Sequence, residues 1–139
     1  MNDEIQHMLN EMDEKKLTYL NSSIIKDAKN NILQKMGFER NELKHYHKVL
    51  KNYRFVDELD ELSLGHHIRW FNLTKLNNMK LYNGSILTNI EYINNQVYLL
   101  CKSYKNKIFT IKMDKIILFQ KFYDQELLMI RILDYIQDK

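Results

Sequence analysis

The residues with chemistry to offer are few and separated along the chain. His66-His67 stand beside Arg69-Trp70 in "LGHHIRWFNL", His45 and His47 form a His-x-His pair, Cys101 is the single cysteine, and carboxylates crowd into "VDELDEL". On a strand, consecutive side chains point to opposite faces, so His66 and His67 cannot hold one metal or form one catalytic pair. On a helix, a spacing of two rotates His45 from His47 by about 200° around the axis. Packing or hydrogen bonding is the role expected of His66 and His67, and a metal site at His45 and His47 would need distant ligands. Cys101 alternates with Val97 and Leu99, the spacing of a buried strand face, so it is expected to be inert rather than nucleophilic. A lone cysteine also excludes an intramolecular disulfide and argues against a cysteine-rich zinc site. The carboxylates of residues 57–61 read as a solvated turn rather than an acid–base pair. No phosphate-loop, dinucleotide, zinc-protease or serine-hydrolase motif occurs. No catalytic residue, metal ligand or cofactor is therefore assigned, and the protein is expected not to be an enzyme. Trp70 with Tyr82, Tyr92 and Phe119 would suit an aromatic cage for a methylated side chain, against which a core role is the favoured reading.

The stronger signal is electrostatic. The formal net charge is only +3, but residues 65–122 carry nine basic residues against Glu91 and Asp114, a net +7. Residues 1–64 and 123–139 each carry −2. A basic middle flanked by acidic ends suits an anionic partner, because Lys and Arg that neutralise phosphates release counterions. Arg69, Lys75, Lys80, Lys102, Lys105, Lys107 and Lys112 are the candidate nucleic-acid-binding residues, with Tyr98 and Tyr104 as an aromatic surface on which bases stack. The competing role for the same lysines is to keep exposed strand edges from aggregating.

The elements that must position these residues follow from the hydrophobic period, which changes near Leu64. Before it, apolar residues recur at helical spacing: Ile5, Met8, Leu9 and Met12; then Ile24, Ile25, Ala28, Ile32, Leu33 and Met36 after a break at Asn21-Ser22-Ser23; then Leu43, Tyr46, Leu50 and Tyr53. Gly37 sits where a helix takes a left-handed terminal residue. From Gly65 to Phe122, β-branched and aromatic residues predict strands over 66–72, 84–93, 96–102, 107–112 and 115–121. Tight turns are expected at Asn94-Asn95, Tyr104-Lys105-Asn106 and Met113-Asp114, with one long loop from Asn72 to Asn83. In the second strand Ile86, Thr88, Ile90 and Tyr92 are expected on one face and Leu87, Asn89 and Glu91 on the other. The closing "DQELLMIRILDYIQ" predicts a helix capped by Asp124 that docks through Leu127, Leu128, Ile130, Leu133 and Ile136. The expected architecture is α+β: an N-terminal helical segment over 1–64, then over 65–139 a five-stranded antiparallel SH3-like or Tudor-like barrel with a C-terminal helix.

The order "LDELSLGHHIRWFNL", "LYNGSILTNI", "YLLCKSYKNKIFTIKMDKIILFQKF" and "YDQELLMIRILDYI" resembles small uncharacterised proteins of nucleocytoplasmic large DNA viruses. The shared features are a G-x-x-I-R-W strand, a Gly-opened second strand and an F-x-K fifth strand ahead of a terminal helix. The resemblance covers roughly residues 53 to 137. It implies an SH3-like domain in a viral protein and brings no catalytic residues.

The polar, acidic N-terminus is unlike a signal peptide, and no apolar run approaches the ~20 residues of a membrane helix, so an intracellular protein without a membrane partner is expected, in host cytoplasm or virion if viral. Two functions remain. One is a non-enzymatic nucleic-acid-binding accessory factor using the basic barrel face. The other is a structural or scaffolding protein that binds another protein or self-associates through helices and barrel, with Met8, Met12 and Met36 as an adaptable stripe.

Overall fold

The computed structural model describes residues 21–75 and 79–137. They form three α-helices and an open antiparallel sheet of six strands. In chain order these are α1 (Ser22–Lys35), α2 (Arg40–Val49), β1 (Tyr53–Val56), β2 (His67–Asn72), β3 (Ser85–Ile93), β4 (Gln96–Lys102), β5 (Ile108–Lys112), β6 (Ile116–Lys121) and α3 (Asp124–Gln137). Short 3-10 turns occupy Leu59–Glu61 and Met113–Lys115. The first helix of the sequence reading, carrying Met8 and Met12, lies outside the described residues.

The described residues pack as two units, 21–37 with 122–137, and Phe38–Lys121. In the first, the Asn21 side chain accepts from Ile24 N at 2.9 Å and caps α1, which ends where Gly37 takes φ +75°. Ser22 donates to Asp134 from its backbone N–H, at 3.0 Å, and from its hydroxyl, tying the start of α1 to α3. Ile25, Met129, Ile130 and Ile132 form the core, with Phe122 and Leu133 against it. The docking stripe of α3 differs from the expected one. Leu127, Leu128 and Ile136 are exposed, while Glu126, Met129, Ile130 and Ile132 are buried. The helix is apolar on more than one side, so its period permits either stripe and packing selects one.

In the second unit the strand order is β1-β6-β2-β3-β4-β5. Five strands fall within a residue of the expected bounds; β1 is additional and corrects the five-strand count. The helical stripe that predicted continuation to Tyr53 stops at Val49, and Tyr53–Val56 pairs instead with residues 118–121 of β6. The expected boundary at 64/65 falls inside this unit.

Turn chemistry explains the hairpins. Asn94 and Asn95 take φ +52° and +65°, the left-handed pair of a two-residue turn whose twist matches its strands. Met113-Asp114 is not a hairpin turn: β5 and β6 are not neighbours in the sheet, and the 3-10 turn carries the chain from the β5 edge to a position between β1 and β2. The expected alternation of β3 also fails, because the register slips between Leu87 and Asn89. The extra residue turns Leu87 and Ile90, three apart, onto the same core-facing side. Thr88, at the bulge, donates its hydroxyl to Leu100 O at 3.0 Å.

The main core gathers Val56, Ile68, Trp70, Leu87, Leu99, Cys101, Ile116 and Leu118. On the opposite face of β1-β6-β2, Phe71 meets the rings of Phe38, Tyr46 and Phe119 at 5.4, 5.0 and 6.0 Å, and Phe119 meets Phe55 at 5.9 Å. Phe38 and, from α2, Tyr46 thus cover Phe71 on this face of the sheet.

Candidate nucleic-acid interface

The seven candidate cations divide into three settings. Arg69 lies on the α2-facing side of β2 and is engaged internally: Nε donates to Tyr82 O at 2.9 Å and Nη2 to Asn83 Oδ1 at 3.4 Å. It holds the end of the long loop onto β2, assisted by Tyr82 N donating to Trp70 O at 2.9 Å. Gly84 makes this approach possible. It takes φ +92°, and a Cβ there would stand 2.0 Å from Ile68 O and 2.9 Å from Arg69 Cγ.

Lys75 and Lys80 converge on one tyrosine. Lys75 Nζ donates to the Tyr82 hydroxyl at 3.3 Å and Lys80 Nζ lies 5.8 Å from the ring centroid. The ring is stacked on Trp70 at 5.5 Å and 19°, and Trp70 also meets Phe109 at 6.0 Å. The proposed aromatic cage is not assembled: Phe119 pairs across from Arg69, on the face opposite Trp70, and Tyr92 is exposed. Trp70 is a core residue.

The remaining cations belong to the β4–β5 hairpin, where the two ends differ. On its outward face Tyr98 pairs with Lys112, Leu100 with Thr110 and Lys102 with Ile108. At the Tyr98 end, Lys112 forms an ion pair with Asp114 at 3.8 Å, Glu91 pairs across from Tyr98, and the Tyr98 hydroxyl donates to Gln96 Oε1 at 3.2 Å. One lysine there stands against two carboxylates, so Lys112 and Tyr98 do not join a cationic surface.

The other end carries Lys102, Tyr104, Lys105 and Lys107. Ser103 and Lys107 close it through Ser103 N to Lys107 O at 2.9 Å, and Asn106 N to Ser103 O at 2.9 Å makes the turn. Asn106 at φ +61° supplies the left-handed residue that lets a three-residue loop re-enter the ladder. This short, bonded loop holds Tyr104 outward at 90% exposure. Lys105 Nζ lies 5.7 Å from its ring centroid. Lys102, Lys105 and Lys107 are exposed, and among the described residues none has a carboxylate within ion-pair distance. Beside them lie residues the sequence reading did not select. Lys102 stands between Ile86 on β3 and Ile108 on β5, and Ile108 is 73% exposed. The available signal was the alternation of Ile108, Thr110 and Lys112, which assigns all three to the outward face.

His67, Cys101 and the acidic turn are accounted for structurally. The Tyr53 hydroxyl lies 2.8 Å from His67 Nδ1. Burial, then the positive charges of Lys121 and Arg69, push the His67 imidazole below its ordinary value, and burial pushes the Tyr53 phenol up. Cys101 is buried, with Sγ 3.8 Å from Leu99 O and a thiol pushed up by burial. In the acidic turn, the buried Arg54 guanidinium donates to the Glu61 carbonyl, and burial raises the Glu61 carboxyl. Among the described residues no group of three or more His, Cys, Asp and Glu could hold a metal ion, and no helix is long and apolar enough to cross a membrane.

Comparison with known proteins finds no matching family model, no matching curated protein and no matching solved structure.

Proposed function

We propose that this is a non-enzymatic nucleic-acid-binding protein whose contact surface is the end of the β4–β5 hairpin. One observation carries the reading: a tyrosine ring is held in solvent by a hydrogen-bonded turn, among three lysines without carboxylate partners in the described residues. An exposed ring offers a π-face for stacking, and cations beside it favour an anionic partner with π-faces of its own. The strand order β6-β2-β3-β4-β5, with a 3-10 turn leading into β6, supports reading these five strands as SH3-like or Tudor-like, with β1 added at the edge. On that reading, and on the resemblance of residues 53–137, the protein is a viral accessory factor acting inside the host cell or virion.

Fluorescence polarisation with labelled oligonucleotides at two salt concentrations tests the function. Binding that weakens with salt is expected, and the triple variant Lys102→Gln/Lys105→Gln/Lys107→Gln should lose it while remaining folded. Unchanged affinity in that variant would remove the hairpin end from the proposal.

A second reading, a scaffold that binds protein or self-associates, rests on a different observation. β5 is an edge strand, and Ile86, Ile93 and Ile108 are exposed on the outward sheet face. Light scattering across a concentration series separates the two: association that persists at high salt, without nucleic-acid binding, supports the scaffold.

A further inference from the structure

Resting on the nucleic-acid reading, we infer that the ligand is single-stranded, with an unstacked base on the Tyr104 ring, sugar or base edges on Ile108 and Ile86, and phosphates on Lys102, Lys105 and Lys107. In a duplex the base faces are already stacked on one another, and a protruding tyrosine has only the backbone or groove edges to touch. In a single strand each base offers a π-face, and stacking on an aromatic side chain is the main sequence-independent contact available. The hairpin end meets that need in its parts. The Tyr104 ring is in solvent. Lys105 lies over it at 5.7 Å, adding a cation to the platform. The cross-strand row Ile86–Lys102–Ile108 begins two residues along β4 and places an apolar side chain on each side of a lysine. Ile108, at 73% exposure, adds apolar surface beside the lysines that a sugar or base edge can cover.

The geometry also sets an extent. Glu91 and Asp114 lie at the Tyr98 end of the same hairpin face and repel phosphate. From Tyr98 to Tyr104 is six residues, about 20 Å at strand rise. The strand therefore occupies the tip and the row beside it, a site of a few nucleotides, at the small end of the ~4–16 that a small nucleic-acid-binding barrel covers.

The experiment compares a labelled oligothymidylate of about 12 nucleotides with a duplex of equal length, titrated with the full-length protein at two salt concentrations. Tighter binding of the single strand is expected. Tyr104→Ala should weaken it at least about fivefold, and Tyr104→Phe should restore it. Replacing Lys102, Lys105 and Lys107 by Gln should make the slope of log affinity against log salt shallower by about 2. Circular dichroism checks that each variant is folded, which is expected because these side chains are exposed. Duplex bound as tightly as the single strand, or single-strand binding indifferent to Tyr104→Ala, overturns the inference while leaving the nucleic-acid reading standing. Binding of neither probe overturns the reading on which it rests.

Discussion

The two halves of the sheet spend their polar side chains differently. In β1-β6-β2 both faces are covered, and most of the polar side chains there are bonded within the protein: Tyr53 with His67, Arg54 with Glu61 O, Arg69 with Tyr82 O, and Gln120 Oε1 accepting from Ser63 N at 2.8 Å, while Gln120 Nε2 is buried without a hydrogen-bond partner among the described residues. In β3-β4-β5 only the inner face carries the core, and the outward face ends in exposed lysines and Tyr104. Burial favours mutual satisfaction of polar groups, since an unpaired one costs about 1–3 kcal/mol. Water imposes no such demand. A charge or ring left unspent on the open half therefore carries more functional information than an unusual residue in the closed half.

Mutations should expose that division. Phe71→Ala removes a fully buried ring that meets three others, and chemical denaturation should show a loss of about 3–5 kcal/mol. Gly84→Ala places a methyl against Ile68 O and requires a left-handed alanine, so a loss of more than about 1 kcal/mol is expected in the same assay. Wild-type stability after either change would mean that the closed half is not tightly packed.

Smaller effects sharpen the contrast. Tyr53→Phe deletes the bond to His67 and should cost about 0.5–1.5 kcal/mol. His67 also sets a pH dependence, through its burial and the positive charges of Lys121 and Arg69. The folded His67 titrates below its unfolded value of 6.5, so the unfolded state binds more protons; the contribution is fully present above 6.5 and is lost as pH falls toward the folded value. Denaturation midpoints from pH 7.5 down to pH 5 should decline, and His67→Asn should flatten that decline. An equally steep curve in the variant would assign the dependence to other groups. Least of all for stability, Tyr104→Ala should change it by less than about 0.5 kcal/mol while affecting oligonucleotide affinity.

Local chemistry made much of the fold legible. Asn94-Asn95 specified its turn because both positions need positive φ. Gly37 ended α1 for the same reason, and β-branched runs located five strands. What escaped was decided by partners distant in sequence. Tyr53–Val56 is a strand because β6 lies beside it, although its apolar spacing fits the preceding helix equally well. The site was legible as a net charge and not as a surface. A count cannot show that Arg69 is committed to Tyr82 O, that Lys75 and Lys80 share Tyr82, or that Lys112 is matched by Asp114.

The sequence by itself determined the α+β class, the positions of the turns, the basic middle region and the burial of Cys101, because each depends on residue type and short-range period. Only the tertiary structure decided the six-strand order, the bulge that turns Leu87 and Ile90 to the core, the stripe by which α3 docks, and which cations remain available. Those depend on long-range pairing, which brings together residues such as Arg54 with Gln120 and Ile86 with Lys102 that no local pattern connects.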